Sequence, residues 1–248
     1  MRYFALILIL ASGCLAAPIG VGFNSECIGG TNLVAWWQLN ENTGTTFFDA
    51  SGNAYTGYLT NTPTWSNGVA ASALNFASSS SQWAQTTLSN LMFTNGTVTW
   101  WQNPTSAYNS GTLRGILGQE ISSPTTVCGA KVHSDNNWYV GWYFNSTDRR
   151  VSLAASTSNW KVNEWHHYAF VWTTTNVIFY MDGGPLGTNS TGAVNATNIN
   201  TAFLIGRANA NAPTYYFPGR MDDVRVYKTN LSLNDLTNLY NGGYATQR

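Results

Sequence analysis

The residues best suited to chemistry in this chain are aromatic rings set beside small polar side chains. Trp138, Tyr139, Trp142 and Tyr143 follow directly on Asp135, Asn136 and Asn137, and Tyr215 and Tyr216 lie in a loop running from Ala208 to Pro218. Exposed flat rings hold the CH faces of sugars, while Asp and Asn fix the hydroxyls. Asp135, Asn137, Trp138, Trp142, Tyr215 and Tyr216 are therefore the candidate carbohydrate-binding set. For the two tryptophans a structural alternative stands beside this one. Four residues apart on a strand, they share a face and could both line a core. Even so, eleven Trp and thirteen Tyr exceed what one core requires.

Bond-breaking chemistry has less to draw on. Retaining glycoside hydrolysis needs two carboxyl groups about 5–5.5 Å apart. None of Glu26, Glu41, Glu120 and Glu164 has a second carboxylate two residues away, and Asp222 and Asp223, adjacent on a strand, are expected to point to opposite faces. His166 and His167 diverge for the same reason, His133 is the only other histidine, and no G-x-S-x-G elbow occurs. The histidines are expected to be packed and hydrogen-bonded within strands, and no enzyme activity is expected.

The elements that must position these residues are strands. Met221 to Tyr227 alternates, with Met221, Asp223, Arg225 and Tyr227 on one face and Asp222, Val224 and Val226 on the other. A short helix should follow, because Ser232 is a good N-cap with Asp235 three residues on and Gly242 stands where a left-handed C-cap is wanted. Upstream, Leu33–Leu39, Ala73–Phe76, Gly96–Trp101, Gly115–Gly118, Asn137–Phe144 and Val151–Ala155 read as strands, and 119–137 as a loop containing Cys128. Glu164–Trp172 and Asn176–Gly184 are near-continuous apolar runs, covered on both faces, with Asp182-Gly183-Gly184 as a turn needing positive φ.

The stretch Gly219-Arg220-Met221-Asp222-Asp223-Val224-Arg225-Val226-Tyr227, with its helix, resembles the closing signature of the laminin-G-like branch of the concanavalin A-like lectin/glucanase superfamily. Five further segments resemble that family in the same order: Trp37 to Gly44, Phe48 to Leu59, Ala73 to Phe76, Trp165 to Gly183 and Phe203 to Arg207. The resemblance implies an all-β fold, a two-sheet antiparallel jelly-roll β-sandwich with one short C-terminal helix. It also implies that calcium is a possible cofactor, a hard cation that takes six to eight oxygens. Asp49, Asn53 and Asp223 are the candidate ligands; the alternative is that Asp49 and Asn53 cap a turn and Asp223 holds a neighbouring loop. The paired carboxylates of the family's glucanases have no counterpart here.

Composition sets the remaining limits. Charged residues are 9% of the chain, and Lys plus Arg equals Asp plus Glu at 11 each, so no net field draws nucleic acid. Arg2 followed by apolar Phe4–Ala11 and small residues reads as a signal peptide over 1–16, too short to span a bilayer and implying export. The competing lipobox reading would instead anchor the protein by a lipid on Cys14. A Gly-rich arm fills 17–32, the sandwich 33–243 and a tail 244–248. Cys27 and Cys128 are then an even pair, expected to form a disulfide in an oxidising compartment. Asn95, Asn145, Asn189, Asn195 and Asn230 are glycosylation acceptors wherever the host glycosylates. The leading expectation is a secreted, non-catalytic glycan- or glycoprotein-binding domain. The alternative is a structural or adhesive subunit of a filament, surface layer or virion, self-associating through the arm.

Overall fold

Short runs of β-branched and aromatic residues, punctuated by Gly, Asn and Asp, build strands in this chain. A computed structural model describes residue 28 and residues 30–91, 93–108, 111–120, 127–144, 147–191, 201–208 and 215–245. The strands are β1 (Leu33–Trp37), β2 (Thr46–Phe47), β3 (Gly57–Thr60), β4 (Thr64–Asn67), β5 (Ser72–Phe76), β6 (Trp83–Thr86), β7 (Gly96–Pro104) and β8 (Arg114–Glu120). They continue with β9 (Val127–Val132), β10 (Asn137–Phe144), β11 (Thr147–Ala154), β12 (His166–Trp172), β13 (Val177–Met181), β14 (Gly184–Asn189), β15 (Leu204–Ile205) and β16 (Gly219–Tyr227), followed by helix α1 (Leu233–Ala245).

Two antiparallel sheets result. One runs β14-β13-β12-β7-β16-β5-β4, with β1 also paired to β16; the other runs β11-β10-β9-β8-β15-β6-β3-β2. This is the two-sheet sandwich that the sequence predicts. Its core is unusually aromatic: Trp100 stacks on Tyr168 and Phe179, and Trp138 packs against Trp160, Tyr168 and Phe179. All of these rings are buried. A further buried ring, Trp172, needs the glycine at position 96, since a Cβ there would lie 2.1 Å from it. A second cluster, Ala169, Val171, Tyr227, Leu231, Leu236 and Leu239, forms where α1 covers the outer face of the β16 sheet. Its start follows the expected capping box, with Asp235 N–H donating to Ser232 Oγ and Ser232 N–H to the Asp235 carboxylate.

Three expectations need correction. The stretch 119–137 is not one loop: it supplies the end of β8 and all of β9, in which Cys128 points into the core. Gly242 does not stop the helix, which runs on to Ala245, because the tertiary contacts of its apolar face outweigh a glycine's low propensity. Third, the alternation of β16 is interrupted. The register shifts between Asp222 and Arg225, and Asp223 has φ 46°. Such a bulge re-aims the side chains beyond it. Met221 therefore shares the inter-sheet core with Val224 and Val226, whereas Tyr227 faces α1. The bulge sits where one edge of β16 passes from β5, paired to Gly219–Met221, to β1, paired to Val224–Tyr227.

The histidines are packed as expected. His166 Nδ1 lies 2.6 Å from the Asp182 carboxylate, which also accepts the His167 N–H. His167 packs its ring on Trp101 beneath α1. Burial first, with Arg225 adding to it against the pull of Asp223 and Asp182, pushes His167 down to about 4. The unfolded chain, with a histidine near 6.5, takes up the proton first, so this contribution is held above about pH 6.5 and lost as pH falls toward 4. We expect about 3 kcal/mol of acid destabilisation over that window, from a shift of two to three pH units at ~1.4 kcal/mol each. His167→Phe should remove that part from the difference between urea midpoints at pH 7 and pH 4.5, and an unchanged difference would contradict it.

Candidate functional site

On β10 the side chains alternate as Trp138, Val140 and Trp142 inward against Tyr139 and Tyr143 outward. The inward three belong to the core, with Trp138 and Trp142 at 0% exposure. A ring so enclosed has no face left for a sugar, so the expected role of these two tryptophans is corrected to core packing. The outward aromatics take their place. Tyr139 and Tyr143 are half-buried and stand on either side of Gly141. The residue paired with Gly141 across β11 is Arg150, whose guanidinium lies between the two rings. Arg150 Cζ is 4.4 Å from the Tyr139 centroid and 4.8 Å from that of Tyr143.

Hydrogen bonds hold this patch rigid. Asp148 accepts from Arg150 Nε at 2.8 Å and Nη2 at 2.7 Å, a fork that fixes the guanidinium plane. Partial burial pushes the Asp148 carboxyl up, but the Arg150 side chain and N–H outweigh it and hold it below its ordinary value. Tyr139 donates its hydroxyl to Asp135 at 2.9 Å, and that bond, with burial second, raises the phenol. Lys131 and Ser152 flank Tyr139 on the neighbouring strands. The result is a rigid strip with two ring surfaces, two exposed carboxylates and a guanidinium, suited to a polyol. Asp135 is exposed in the turn before β10, and Asn137 sits at the head of β10 with its N–H on Asp135. His133, Ser134 and Asp135 share the adjoining turn, but Ser134 Oγ and Asp135 Oδ1 both face His133 Nδ1, at 3.4 and 3.5 Å. A relay needs the two ring nitrogens divided between base and orienting carboxylate.

Tyr216 is buried at 8% exposure and stacks with Arg207, whose guanidinium also lies 5.1 Å from the Trp83 ring. Tyr215 is half-buried beside it. Trp83, which the sequence reading did not single out, is the partly exposed ring of this second cluster. It stands on β6 next to Ala84, which faces the core.

The calcium candidates are placed differently from one another. Asp49 accepts from the N–H groups of Trp36, Ser51 and Tyr55 and from Ser51 Oγ. Asn53 Nδ2 donates to the carbonyls of Leu33 and Val34. Asp223 pairs with Arg225 at 2.9 and 3.0 Å and accepts the Trp36 indole N–H. The carboxylate oxygens of Asp49 and Asp223 thus already accept from N–H, O–H and guanidinium donors, and Asp49 fits the turn-capping alternative. We expect Asp49→Ala to cost about 2–3 kcal/mol, because it strands several partly buried donors. EDTA should leave the melting temperature of the unmodified protein in place, and a fall in EDTA reversed by calcium would contradict this.

Cys128 is a free thiol at 0% exposure, which burial pushes well above its ordinary pKa. The expected bridge is therefore not present at Cys128, which lies in a core-facing strand rather than in a loop. Cys27 lies outside the described residues, as do Cys14, Asn145 and Asn195. Asn230 is exposed and Asn95 half-buried, while Asn189 donates its amide to the Arg150 carbonyl at 2.7 Å.

Comparison with known proteins agrees with this architecture. A family model described as the concanavalin A-like lectin/glucanases superfamily matches residues 78–237, more than half of the chain. Domain 4 of AbnA, a GH43 extracellular arabinanase from Geobacillus stearothermophilus solved with arabinotriose, superposes with a TM-score of 0.56 at 18% identity, covering 84% of this chain and 98% of that one. Trypanosoma rangeli sialidase with sialic acid gives 0.65 at 15%, covering 91% of this chain and 35% of that one. The binding domain of botulinum neurotoxin DC with SialylT gives 0.67 at 12%, covering 89% and 52%. The chain thus spans about a third of the sialidase and about half of the toxin domain. No curated protein sequence matches it. At these identities the likeness is one of fold.

Proposed function

The chain belongs to the concanavalin A-like lectin/glucanase superfamily, and from that premise we propose that it is an exported, non-catalytic module that binds carbohydrate on the outer face of β10 and β11. The observation that carries this reading is the half-buried pair Tyr139 and Tyr143 with Arg150 stacked between them and Asp135 and Asp148 at its margins. Rings held in place lose little freedom on binding, and fixed polar atoms at their edges select among hydroxyl patterns. The arabinotriose and SialylT complexes of two fold neighbours support a glycan as the ligand class. The apolar run near the N-terminus supports export. No helix among the described residues is long and apolar enough to cross a membrane.

The test is electrophoresis of the protein through native gels containing single polysaccharides, with reducing ends assayed on the same mixtures. Retardation without release of reducing ends is the expected result. Release would mean a hydrolase. No retardation on any polysaccharide, together with filaments that grow with concentration, would transfer the assignment to an assembly subunit.

A further inference from the structure

The inner face of the β10 sheet carries an unusual row at one end of the sandwich. Gln119, Cys128, Trp142 and Arg149 are register partners across β8, β9, β10 and β11. Gln119 is fully used, accepting from the Leu91 N–H and donating to the Thr201 carbonyl. Trp142 and Arg149 are not. The Trp142 indole Nε1 is buried and donates to nothing, although the residue has 0% exposure. The neighbouring tryptophan Trp172, in edge contact with it, gives its own Nε1 to the Phe93 carbonyl. Arg149 Nε and Nη1 are likewise buried without an acceptor. Arg150, one residue on and facing out, has its guanidinium on Asp148. Arg149 faces in, on the side of Val151 and Leu153. Directly opposed residues in a sheet stand about 5 Å apart at Cβ, so the two side chains carrying orphaned donors leave the sheet side by side on its inner face.

Orphaned N–H groups inside a protein are costly, and more so when they belong to a cation. Donors of this kind placed side by side call for an acceptor bearing negative charge. We infer that Arg149 and Trp142 form a binding site for a small carboxylate anion at the β11 end of the inter-sheet space. One guanidinium balances one negative charge, and a planar group with two acceptor oxygens can take the guanidinium and the indole together. A dianion would carry excess charge into the interior. Access is through Arg149 itself, which is only half-buried although the Asn189 amide and the Thr191 hydroxyl bond to the flanking β11 carbonyls of Arg150 and Asp148. The site lies on the opposite face of the sheet from Tyr139 and Tyr143, so it does not rest on the glycan reading.

The test uses the full chain with 15N-labelled tryptophan, whose eleven indoles give separate N–H resonances. Trp142→Phe identifies the resonance of Trp142 by its loss. Sodium formate, titrated at pH 7 against sodium chloride at equal ionic strength, should move that resonance saturably and leave the others in place. Arg149→Gln should abolish the movement while the other resonances, reporting the fold, stay where they were. A Trp142 resonance that ignores formate, that moves equally in chloride, or that still responds in folded Arg149→Gln would overturn the site.

Discussion

Trp138→Ala is expected to lower the free energy of unfolding by about 3–5 kcal/mol, as large-to-small substitutions of buried aromatics do. The ring is fully enclosed, with centroids of Phe179, Trp160 and Tyr168 at 5.0, 5.5 and 5.6 Å. These neighbours come from different strands and a loop, so the cavity cannot close by the shift of one element. The indole also donates to Asn159 Oδ1 at 3.1 Å, but that oxygen keeps the Ser156 N–H, so most of the loss is packing rather than hydrogen bonding. Urea unfolding followed by far-UV circular dichroism measures the effect. Trp138→Phe should recover part of it by refilling some of the space. A Trp138→Ala protein with an unchanged midpoint and weakened glycan binding would return Trp138 to the surface role that its sequence neighbourhood suggests.

Tyr139→Ala and Tyr143→Ala should behave in the opposite way. Each is expected to weaken glycan binding by roughly thirty-fold, about 2 kcal/mol, the scale of a central aromatic contact. Stability should change by no more than about 1 kcal/mol, since both rings are half-buried on an outer face. Arg150→Lys adds a sharper distinction. It keeps the charge beside Asp148 but loses the flat surface that lies against both rings. If stacking organises the site, binding should fall nearly as far in Arg150→Lys as in Arg150→Ala; binding retained in Arg150→Lys would show that charge alone matters.

The contrast between Trp138 and Tyr139 shows how far the sequence could be read. In Asn137-Trp138-Tyr139-Val140-Gly141-Trp142-Tyr143 both faces carry aromatics, so ring chemistry does not say which face is buried. The deciding signal is small: Val140 shares a face with the tryptophans and Gly141 with the tyrosines, and an apolar β-branched residue prefers the core. Strands such as Gly96–Trp101 and His166–Trp172 were legible because their β-branched and aromatic runs are long and bounded by turns. Val127–Val132 was not, because Gly129 and Lys131 dilute a six-residue strand. The bulge at Asp222–Asp223 left only a slight mark, the three-residue step from Met221 to Val224 among the apolar positions, which a strict period-two reading of the strand passes over. Arg150 was missed because it matters through its cross-strand partner, and pairing register is set in three dimensions rather than along the chain.

The most direct test of the central claim is a glycan array probed with the unmodified protein and with the Tyr139→Ala/Tyr143→Ala double variant, each in calcium and in EDTA. The predicted result is binding to a defined sugar class by the unmodified protein, equal in both buffers, and none by a double variant whose circular dichroism is unchanged. Binding that survives the double substitution, or that disappears in EDTA, would contradict the assignment of the site to the outer face of β10 and β11.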